Sequence, residues 1–342
     1  MADITQIRHM YLMLGTSCNM TCRHCSQIPV KGKKVQKQEC SVAVLNFIKQ
    51  WDNERTRPKT LWFWGGEPLL YLKTIKGIVE QLRGTDIRFG IFTNGLLLTE
   101  EVVGYLNEHD FLVIMSYDAP NPVAVRSKAP SEENIKCFLS IKDRIINMVF
   151  SAINDDIEAG LKVIQSKFPN TPMSIGIMQV MSDIPEDTYD YKDNAIRDNI
   201  FKMAKAVKDG NDPYGSCWKL LGRLIKRWRG FNKTRWLEEP YPPCLSGLII
   251  FSVDLNGNVF SCHNAGVVAG KITEPYENLV KKQLQMWKRL QPTRCRTCEH
   301  LDICHSRCPV AMKTNDGGEY VQCKFMRELW SAVKDAATEY DL

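Results

Sequence analysis

The sequence contains no long hydrophobic run and no strong excess of charge of either sign. Among its 342 residues, no apolar stretch approaches the roughly 18 residues that a membrane-spanning helix needs. The N-terminus, Met1-Ala-Asp-Ile-Thr-Gln-Ile-Arg, lacks the basic and apolar regions of a signal peptide. The net charge of +6 is mild and does not by itself indicate nucleic acid or a membrane as a partner. We therefore expect a cytoplasmic protein with no membrane partner, and nucleic acid is not an expected partner.

Cysteine, in contrast, is abundant. The chain has 13 cysteines, and because cytosolic thiols stay reduced, a disulfide framework is not expected. Metal ligation accounts for them better. The hydrophobic fraction of 44% is that of an ordinary globular protein, and the length suits one large domain and a smaller one.

Three of these cysteines lie within eight residues, in the run Cys18-Asn-Met-Thr-Cys22-Arg-His-Cys25. Structural zinc sites usually have four protein ligands, with two-residue spacings in pairs. Iron–sulfur clusters also use thiolates, and an iron without a protein ligand can bind substrate or cofactor. The spacing favours such a cluster, with structural zinc and coincidental free thiols as the alternatives.

Six apolar, β-prone runs alternate with amphipathic segments over the first 210 residues. This alternation predicts an α/β fold with parallel pairing and right-handed crossovers, as an open sheet or a partial barrel. The predicted strands are His9–Gly15, Thr60–Trp64, Ile87–Thr93, Phe111–Ser116, Ile145–Ser151 and Ser174–Val180. The predicted helices are Val42–Trp51, Ile75–Leu82, Thr99–Asn107, Glu132–Lys142, Ile157–Lys167 and Asn194–Val207.

Polar and glycine-rich motifs follow the predicted strands. Active sites of parallel α/β folds collect at the carboxyl ends of the strands, so we favour a (β/α)6 partial TIM barrel. Each motif could also be only a turn, since two glycines permit positive φ and Pro68 suits a helix start. The motif residues are Gly65, Gly66, Glu67 and Pro68 after the second strand, Asn94 after the third, Ser116 and Asp118 at the fourth and Gln179 at the sixth.

Residues 211–243 form a basic and aromatic bridge in which the strand pattern stops. The bridge could engage an acidic peptide or a phosphate backbone. We favour an amphipathic helix with a buried apolar face and a solvated basic face. The apolar face would be Leu220, Leu221, Leu224 and Ile225.

A second set of seven cysteines occupies the last hundred residues. Between its first two members, Leu248–Leu255 and Val259–Ser261 flank Asn256-Gly257, which predicts a β-hairpin. The dense spacings that follow supply several corners of a cluster locally. A zinc ribbon explains the Cys295/Cys298 pair alone but not all seven. The set is Cys244, Cys262, Cys295, Cys298, Cys304, Cys308 and Cys323.

With these motifs in place, the N-terminal part resembles the radical S-adenosylmethionine (SAM) superfamily. The resemblance implies that Cys18, Cys22 and Cys25 hold a 4Fe-4S cluster that chelates SAM and cleaves it to a 5′-deoxyadenosyl radical. It also implies that Gly65-Gly66-Glu67-Pro68 holds the SAM amino group and that Arg126 pairs with the SAM carboxylate. Ser116 and Asp118 would lie at the ribose hydroxyls, with Asn94 and Gln179 as further contacts. The sequence departs from the family at Ala119, where a glycine is usual.

The C-terminal part resembles the SPASM extension of radical SAM maturases, including a Gly-x4-Cys element from Gly257 to Cys262. The resemblance implies two auxiliary 4Fe-4S clusters, and hence three in all. The outer one would use Cys295, Cys298, Cys304 and Cys323, and the inner one Cys244, Cys262 and Cys308. A cysteine usual before Cys244 is absent, so either Cys217 is recruited or the inner cluster keeps an open iron, which we favour. The implied domains are 1–210, 211–243 and 244–342.

The two resemblances together predict an enzyme that oxidatively modifies a ribosomally made peptide or a protein side chain, by a cross-link, a thioether or a related change. Sulfatase-type maturation is disfavoured, because His263 stands where those enzymes have an aspartate. The alternatives are radical dehydrogenation or rearrangement of a small molecule such as a sugar or nucleotide, and a non-enzymatic iron–sulfur electron carrier. Expected partners are the peptide or protein substrate and a flavodoxin- or ferredoxin-type electron donor. Substrate recognition would use the bridge, the auxiliary domain or a separate protein. No catalytic acid or base is assigned. Cys40 and Cys137 are expected to be buried or incidental thiols.

Overall fold

The computed structural model describes residues 7–25, 39–53, 59–177, 186–188, 190–212, 215–229, 250–260, 262, 268–290, 298 and 321–342. Within these ranges, strands and helices alternate from the N-terminus, as the sequence predicts. The strands of this part are β1 (His9–Met13), β2 (Thr60–Trp64), β3 (Arg88–Thr93), β4 (Leu112–Ser116), β5 (Asp143–Phe150) and β6 (Met173–Ile177). The helices between them are α1 (Val42–Asn53), α2 (Leu72–Gln81), α3 (Glu100–Glu108), α4 (Pro122–Arg126), α5 (Glu132–Leu139) and α6 (Ile157–Lys167).

Further elements follow β6. They are α7 (Ala195–Lys208), α8 (Ser216–Arg229), β7 (Ile250–Asp254), β8 (Asn258–Phe260), β9 (Val268–Lys271), α9 (Tyr276–Leu290) and α10 (Val321–Glu339). Two short 3-10 helices, Pro68–Tyr71 and Glu186–Thr188, complete the described elements.

All described strands belong to one sheet, in the order β6-β5-β4-β3-β2-β1-β7-β8-β9. Strands β1 to β6 pair in parallel, which confirms the predicted α/β fold and brings the carboxyl ends of these strands to one edge. The functional motifs follow these ends. The sheet therefore brings together motifs that lie up to a hundred residues apart in the sequence.

Local sequence explains where several helices begin. Thr99 Oγ1 accepts from Val102 N at the start of α3, and Asp156 Oδ1 accepts from Ala159 N at the start of α6. Ser131 and Asn134 form a capping box at the start of α5. These caps satisfy backbone N–H groups that have no partner within the helix.

The main core lies between the helices and one face of the sheet. Alternate side chains of β1 and β2 point into it, and the helices contribute one apolar stripe each. Among the fully buried side chains are Met10, Leu12, Leu61, Phe63, Ile48, Trp51, Phe111, Phe138 and Phe168.

Helix α8 confirms the amphipathic interpretation of the bridge. Leu221 is 1% exposed, and Leu220, Leu224 and Ile225 are buried with it. The helix packs on α7, β6 and α10. Lys219, Arg223 and Lys226 are exposed on the other face. The rest of the bridge lies outside the described residues, apart from residues 211, 212 and 215.

The predicted hairpin is present, but it is part of the main sheet. Strand β7 pairs in parallel with β1, so that Met13 aligns with Asp254, and then in antiparallel fashion with β8. Gly257 forms the turn with a φ of +82°, a conformation that favours glycine. Asp254 Oδ1 accepts from Asn256 N and Asn258 N at 2.9 Å each and holds the turn.

No helix in the part of the chain that the structure describes is both long and apolar enough to span a membrane.

Candidate active site

The loop after β1 carries the first three cysteines and lies against the glycines after β2. Gly66 N donates to Gly15 O at 3.0 Å, and Glu67 N donates to Ser17 O at 2.8 Å. A Cβ on Gly66 would lie 2.1 Å from Ser17 O, so only glycine permits this approach. The Gly-Gly pair is therefore more than a turn, because it lets the two loops contact each other.

The three thiols are half-buried, and none of them is part of a disulfide. The Cys22 thiol donates to Arg126 O at 3.7 Å, and Cys25 N donates to Cys22 O at 3.3 Å. Two further hydrogen bonds join the loop to the α4 region: Arg23 N donates to Val125 O at 2.8 Å, and Thr21 N donates to Ser127 Oγ at 3.1 Å. The cysteine loop is thus held both by the β2 end and by α4.

A buried ion pair lies beside these cysteines. Arg126 Nε is 2.6 Å from Asp118 Oδ2, at an angle unfavourable for a hydrogen bond, and His24 Nε2 is 3.4 Å from the same oxygen. Asp118 Oδ1 accepts from Val149 N on β5 at 2.7 Å. Burial by itself lowers the pKa of Arg126, but the charge of Asp118, with smaller contributions from Cys22 and Cys25, raises it overall. The guanidinium therefore stays charged next to the cysteine loop.

Glu67 is 1% exposed, and its carboxylate accepts hydrogen bonds from other residues of the protein. Its Oε1 accepts from Thr93 Oγ1 at 2.8 Å and from Leu69 N at 3.1 Å, and its Oε2 accepts from Asn94 N at 2.8 Å. Burial raises the pKa of Glu67 to about 7, although these hydrogen bonds oppose the rise. The carboxylate joins the end of β2 to the end of β3.

Asn94 faces the cysteine loop from the end of β3. Its Nδ2 donates to Asn19 Oδ1 at 2.7 Å and lies 4.0 Å from Cys18 Sγ, and its Oδ1 accepts from Leu96 N at 3.0 Å. Ser116, at the end of β4, is half-buried and aligns with Asn147 of β5.

Pro68 begins the short 3-10 helix whose N-cap is Glu67. Tyr71, at its end, accepts a hydrogen bond from Ser17 N at 3.2 Å through its hydroxyl oxygen. The structure therefore brings Cys18, Cys22, Cys25, Gly65, Gly66, Glu67, Pro68, Asn94, Ser116, Asp118 and Arg126 to the carboxyl edge of the sheet.

The donor set fits an iron–sulfur cluster better than a single ion. Within the described ranges, no three His, Cys, Asp or Glu side chains converge where one ion would bind, as structural zinc requires. A cubane presents separate iron corners, so thiols spread along one loop can each take a corner. The cation of Arg126 beside Cys22 and Cys25 is favourable for thiolate ligands.

Only part of the second cysteine set is described. Cys262 is buried just after β8, Cys298 is half-buried, and Cys323 is half-buried on α10. Cys217 of α8 is 0% exposed in the apolar core, and burial raises its pKa to about 12. Cys137 is buried on α5 and Cys40 is half-buried before α1. The predicted site residues Cys244, Cys295, Cys304, Cys308 and Gln179, and His263, lie outside the described residues.

Four residues of this arrangement have no counterpart among the predicted site residues. These residues contact the cysteine loop or the predicted site residues and do not form a motif of their own. They are Thr93, Asn19, His24 and Tyr71. The sequence signal that could have found them is position: Thr93 ends a strand, and Asn19 and His24 lie between the cysteines.

Comparisons with known proteins found a matching family profile and several similar proteins. The family profile described as "Radical SAM superfamily" matches residues 12–154. A serine-type anaerobic sulfatase-maturating enzyme of Bacteroides thetaiotaomicron is 33% identical over 88% of this chain and 82% of its own length. The radical SAM cyclopropyl synthase TigE of Paramaledivibacter caminithermalis is 22% identical over 91% of this chain and 70% of its own length.

A solved structure of native anSMEcpe with bound AdoMet and Cp18Cys peptide has a similar fold. Its TM-score is 0.70 at 18% identity, with 98% of this chain and 99% of that chain covered. This likeness confirms the partial-barrel fold that the sequence predicts.

Proposed function

The chain belongs to the radical SAM superfamily, and on that basis we propose that it oxidatively modifies a side chain of a ribosomally made peptide or of a protein. The observation that carries this proposal is the cysteine loop at the carboxyl edge of the sheet, where Arg126 lies beside Cys22 and Cys25. A plain electron carrier would not need the buried ion pair or the Gly-Gly contact.

In this proposal Cys18, Cys22 and Cys25 ligate a 4Fe-4S cluster and leave one iron for SAM. When bound, the cluster supplies the electron that cleaves SAM to methionine and a 5′-deoxyadenosyl radical, which abstracts hydrogen from the substrate. The protein positions the reactants and excludes water. No side chain of the described site needs to act as an acid or a base in this step.

The SAM contacts are divided among backbone and side chains. The carbonyl oxygens of the Gly65-Gly66 loop take the ammonium, because the Glu67 carboxylate already accepts three hydrogen bonds. Arg126 takes the carboxylate, since a guanidinium has five N–H donors and the contact with Asp118 uses Nε. The Ser116 hydroxyl is the better ribose contact, because both Asp118 oxygens bind within the protein.

We further propose two auxiliary 4Fe-4S clusters in the C-terminal part, with the ligands that the SPASM resemblance implies. Cys244, Cys262 and Cys308 would hold the inner cluster and leave one iron without a protein ligand, since Cys217 is buried in the apolar core and would have to leave it to bind. When bound, these clusters would supply an acceptor for the electron that the substrate radical gives up, which would make the net reaction an oxidation. A flavodoxin- or ferredoxin-type protein in the cytoplasm supplies electrons to the first cluster, and a separate protein assists recognition.

A second candidate is sulfatase-type maturation at a serine, which we propose to be the two-electron oxidation of the serine CH2OH group to an aldehyde. The 33% identity with the sulfatase-maturating relative supports it. Both reactions remove two hydrogen atoms from a peptide. Only maturation of this second kind leaves a carbonyl group that a hydrazide reagent traps.

The test uses the full chain, purified and reconstituted without oxygen. We expect labile sulfide and iron, and deoxyadenosine after reduction in the presence of SAM, measured by mass spectrometry. Cys22→Ala should lose one cluster's iron and form no deoxyadenosine, whereas the control Cys40→Ser should keep both. Zinc in place of iron, or undiminished deoxyadenosine from Cys22→Ala, would contradict the proposal.

The substrate is tested with any short peptide that is encoded next to the gene and with a serine-containing sulfatase peptide. A peptide that loses two hydrogen atoms and does not react with hydrazide supports cross-linking or dehydrogenation. A hydrazide adduct identifies the second candidate instead.

A further inference from the structure

We propose that Asn94 is a positioning residue that braces the cysteine loop at Cys18 and tunes the reduction potential of the cluster bound there, rather than a contact to SAM. The effect on the reduction potential depends on the proposed function. The bracing of the cysteine loop can be tested in protein without a cluster.

The polar atoms of the Asn94 side chain are directed into the protein. Asn94 is 6% exposed. Its amide nitrogen reaches Asn19 Oδ1 at 2.7 Å and Cys18 Sγ at 4.0 Å, and its carbonyl oxygen accepts from Leu96 N at 3.0 Å. An amide has two N–H donors, so these contacts account for both of them.

The backbone of Asn94 is fixed in turn by Glu67. Glu67 Oε2 accepts from Asn94 N at 2.8 Å, and Oε1 accepts from the hydroxyl of the preceding residue, Thr93, at 2.8 Å. A buried carboxyl group with several hydrogen bonds holds its partners firmly, because releasing any of them would leave a buried polar atom without a partner.

These contacts close a ring around Cys18. Glu67 N donates to Ser17 O at 2.8 Å, and Asn94 Nδ2 donates to Asn19 Oδ1. The residues on both sides of Cys18 are therefore tied to Glu67, one directly and the other through Asn94. The arrangement places an N–H group at the sulfur of a proposed cluster ligand.

An N–H group directed at a ligand sulfur raises a cluster's reduction potential. Reduction adds negative charge to the cluster and its thiolates, and the N–H dipole stabilises that charge. Removing the amide should therefore make the cluster harder to reduce. A SAM contact would change the affinity for SAM and leave the SAM-free potential where it was.

The first experiment measures hydrogen exchange in cluster-free, full-length protein. In Asn94→Ala we expect the amides of residues 17–25 to exchange about five- to tenfold faster, the factor that the loss of one net hydrogen bond implies. Asn19→Ala, which removes only the partner on the loop, should give the same change. The matched control is Asn107→Ala, which removes a brace to Ser140 O at the opposite edge of the sheet and should leave residues 17–25 unchanged.

The second experiment titrates the reduction potential of the reconstituted, SAM-free protein by electron paramagnetic resonance. The relevant signal is the one that SAM addition alters. For Asn94→Ala we expect the ratio of reduced to oxidised cluster at a fixed potential to fall about tenfold, a shift of about 59 mV for one electron. Asn94→Asp, which puts an anion beside the sulfur, should shift it further in the same direction.

Unchanged exchange and an unchanged potential in Asn94→Ala would overturn the proposal, and a loss of SAM affinity alone would assign Asn94 to SAM instead. If the wild-type protein takes up no cluster, the proposed function fails. The exchange experiment then still decides whether Asn94 braces the loop.

Discussion

Glu67 is the residue of the site whose environment departs most from that of an ordinary carboxylate. It is 1% exposed and receives three hydrogen bonds, yet burial raises its pKa to about 7. The charged form is therefore less stable in the folded protein than in the unfolded chain. This difference makes stability depend on pH.

Between about pH 4.5 and pH 7, the folded protein holds a proton at Glu67 that the unfolded chain has already lost. Stability then falls as the pH rises through this window, because the folded state binds more protons. We expect the difference in free energy of unfolding between wild type and Glu67→Gln to fall by about 3 kcal/mol across it, the equivalent of the shift from 4.5 to about 7. Urea unfolding of the cluster-free enzyme at a series of pH values measures this.

A matched control for Glu67→Gln is Glu158→Gln. Glu158 is an exposed carboxylate on α6 that pairs with Lys162. The Glu158→Gln variant should therefore lose stability between about pH 4.5 and pH 7 as the wild type does. A wild type and a Glu67→Gln variant with parallel pH profiles would contradict the prediction.

The positions of the site residues, but not their partners, could be predicted from sequence. Gly66, Glu67, Asn94, Asp118 and Arg126 come together because they follow successive parallel strands, and strand order is readable from apolar periodicity. The sequence does not predict that the side chains of Glu67, Asn94 and Asp118 contact other residues of the protein. Their partners belong to other strands and loops, and side-chain direction depends on how those pack.

At the scale of elements, α8 shows how one helix serves two environments. Its apolar side chains face α7, α10 and β6, while Lys219, Arg223 and Lys226 recur at helical spacing on the exposed face. The N-terminus of α8 is held by Asp212, whose carboxylate accepts from Cys217 N at 3.2 Å and from Trp218 N at 2.8 Å. Burial of the apolar face, rather than the charges, should determine its stability.

We therefore expect Leu221→Ala to destabilise the enzyme by about 2–5 kcal/mol, because the substitution leaves a cavity in the core. Lys226→Ala, on the exposed face of the same helix, should change the free energy of unfolding by no more than about 0.5 kcal/mol. Urea denaturation of both variants measures the difference. Equal destabilisation by the two substitutions would mean that the basic face of α8 makes stabilising contacts.

Element boundaries were predicted well where a cap or a clean apolar run marks them. Strand β2 and helix α6 have the predicted limits. The helix predicted to extend from Glu132 to Lys142 ends at Leu139, and β5 begins at Asp143 rather than Ile145. Polar residues mark this strand start: Asp143 pairs with Arg88 of β3, a contact between distant residues that no local pattern contains.

At the scale of the whole molecule, β7 joins the C-terminal part to the barrel sheet. The sequence predicts its hairpin, and the Asn-Gly turn is a local signal for it. Pairing of β7 with β1 was not predicted, because it connects residues more than two hundred positions apart. The strand does carry a signal of such a place, since Phe251, Ser252 and Val253 are all buried, as in a central parallel strand.

This continuity predicts that the described parts on either side of β7 unfold together. Phe251 packs near Phe47 of α1 and Tyr276 of α9, with ring centroids 5.9 Å and 5.7 Å away. Phe251→Ala should cost about 3–5 kcal/mol of stability. Hydrogen exchange of the cluster-free enzyme should show β1, β4 and β8 losing protection by the same factor. The control Phe201→Ala, at a partly exposed ring on α7, should lower protection less. If β8 loses protection while β4 keeps it, the C-terminal part is a separate folding unit despite the shared sheet.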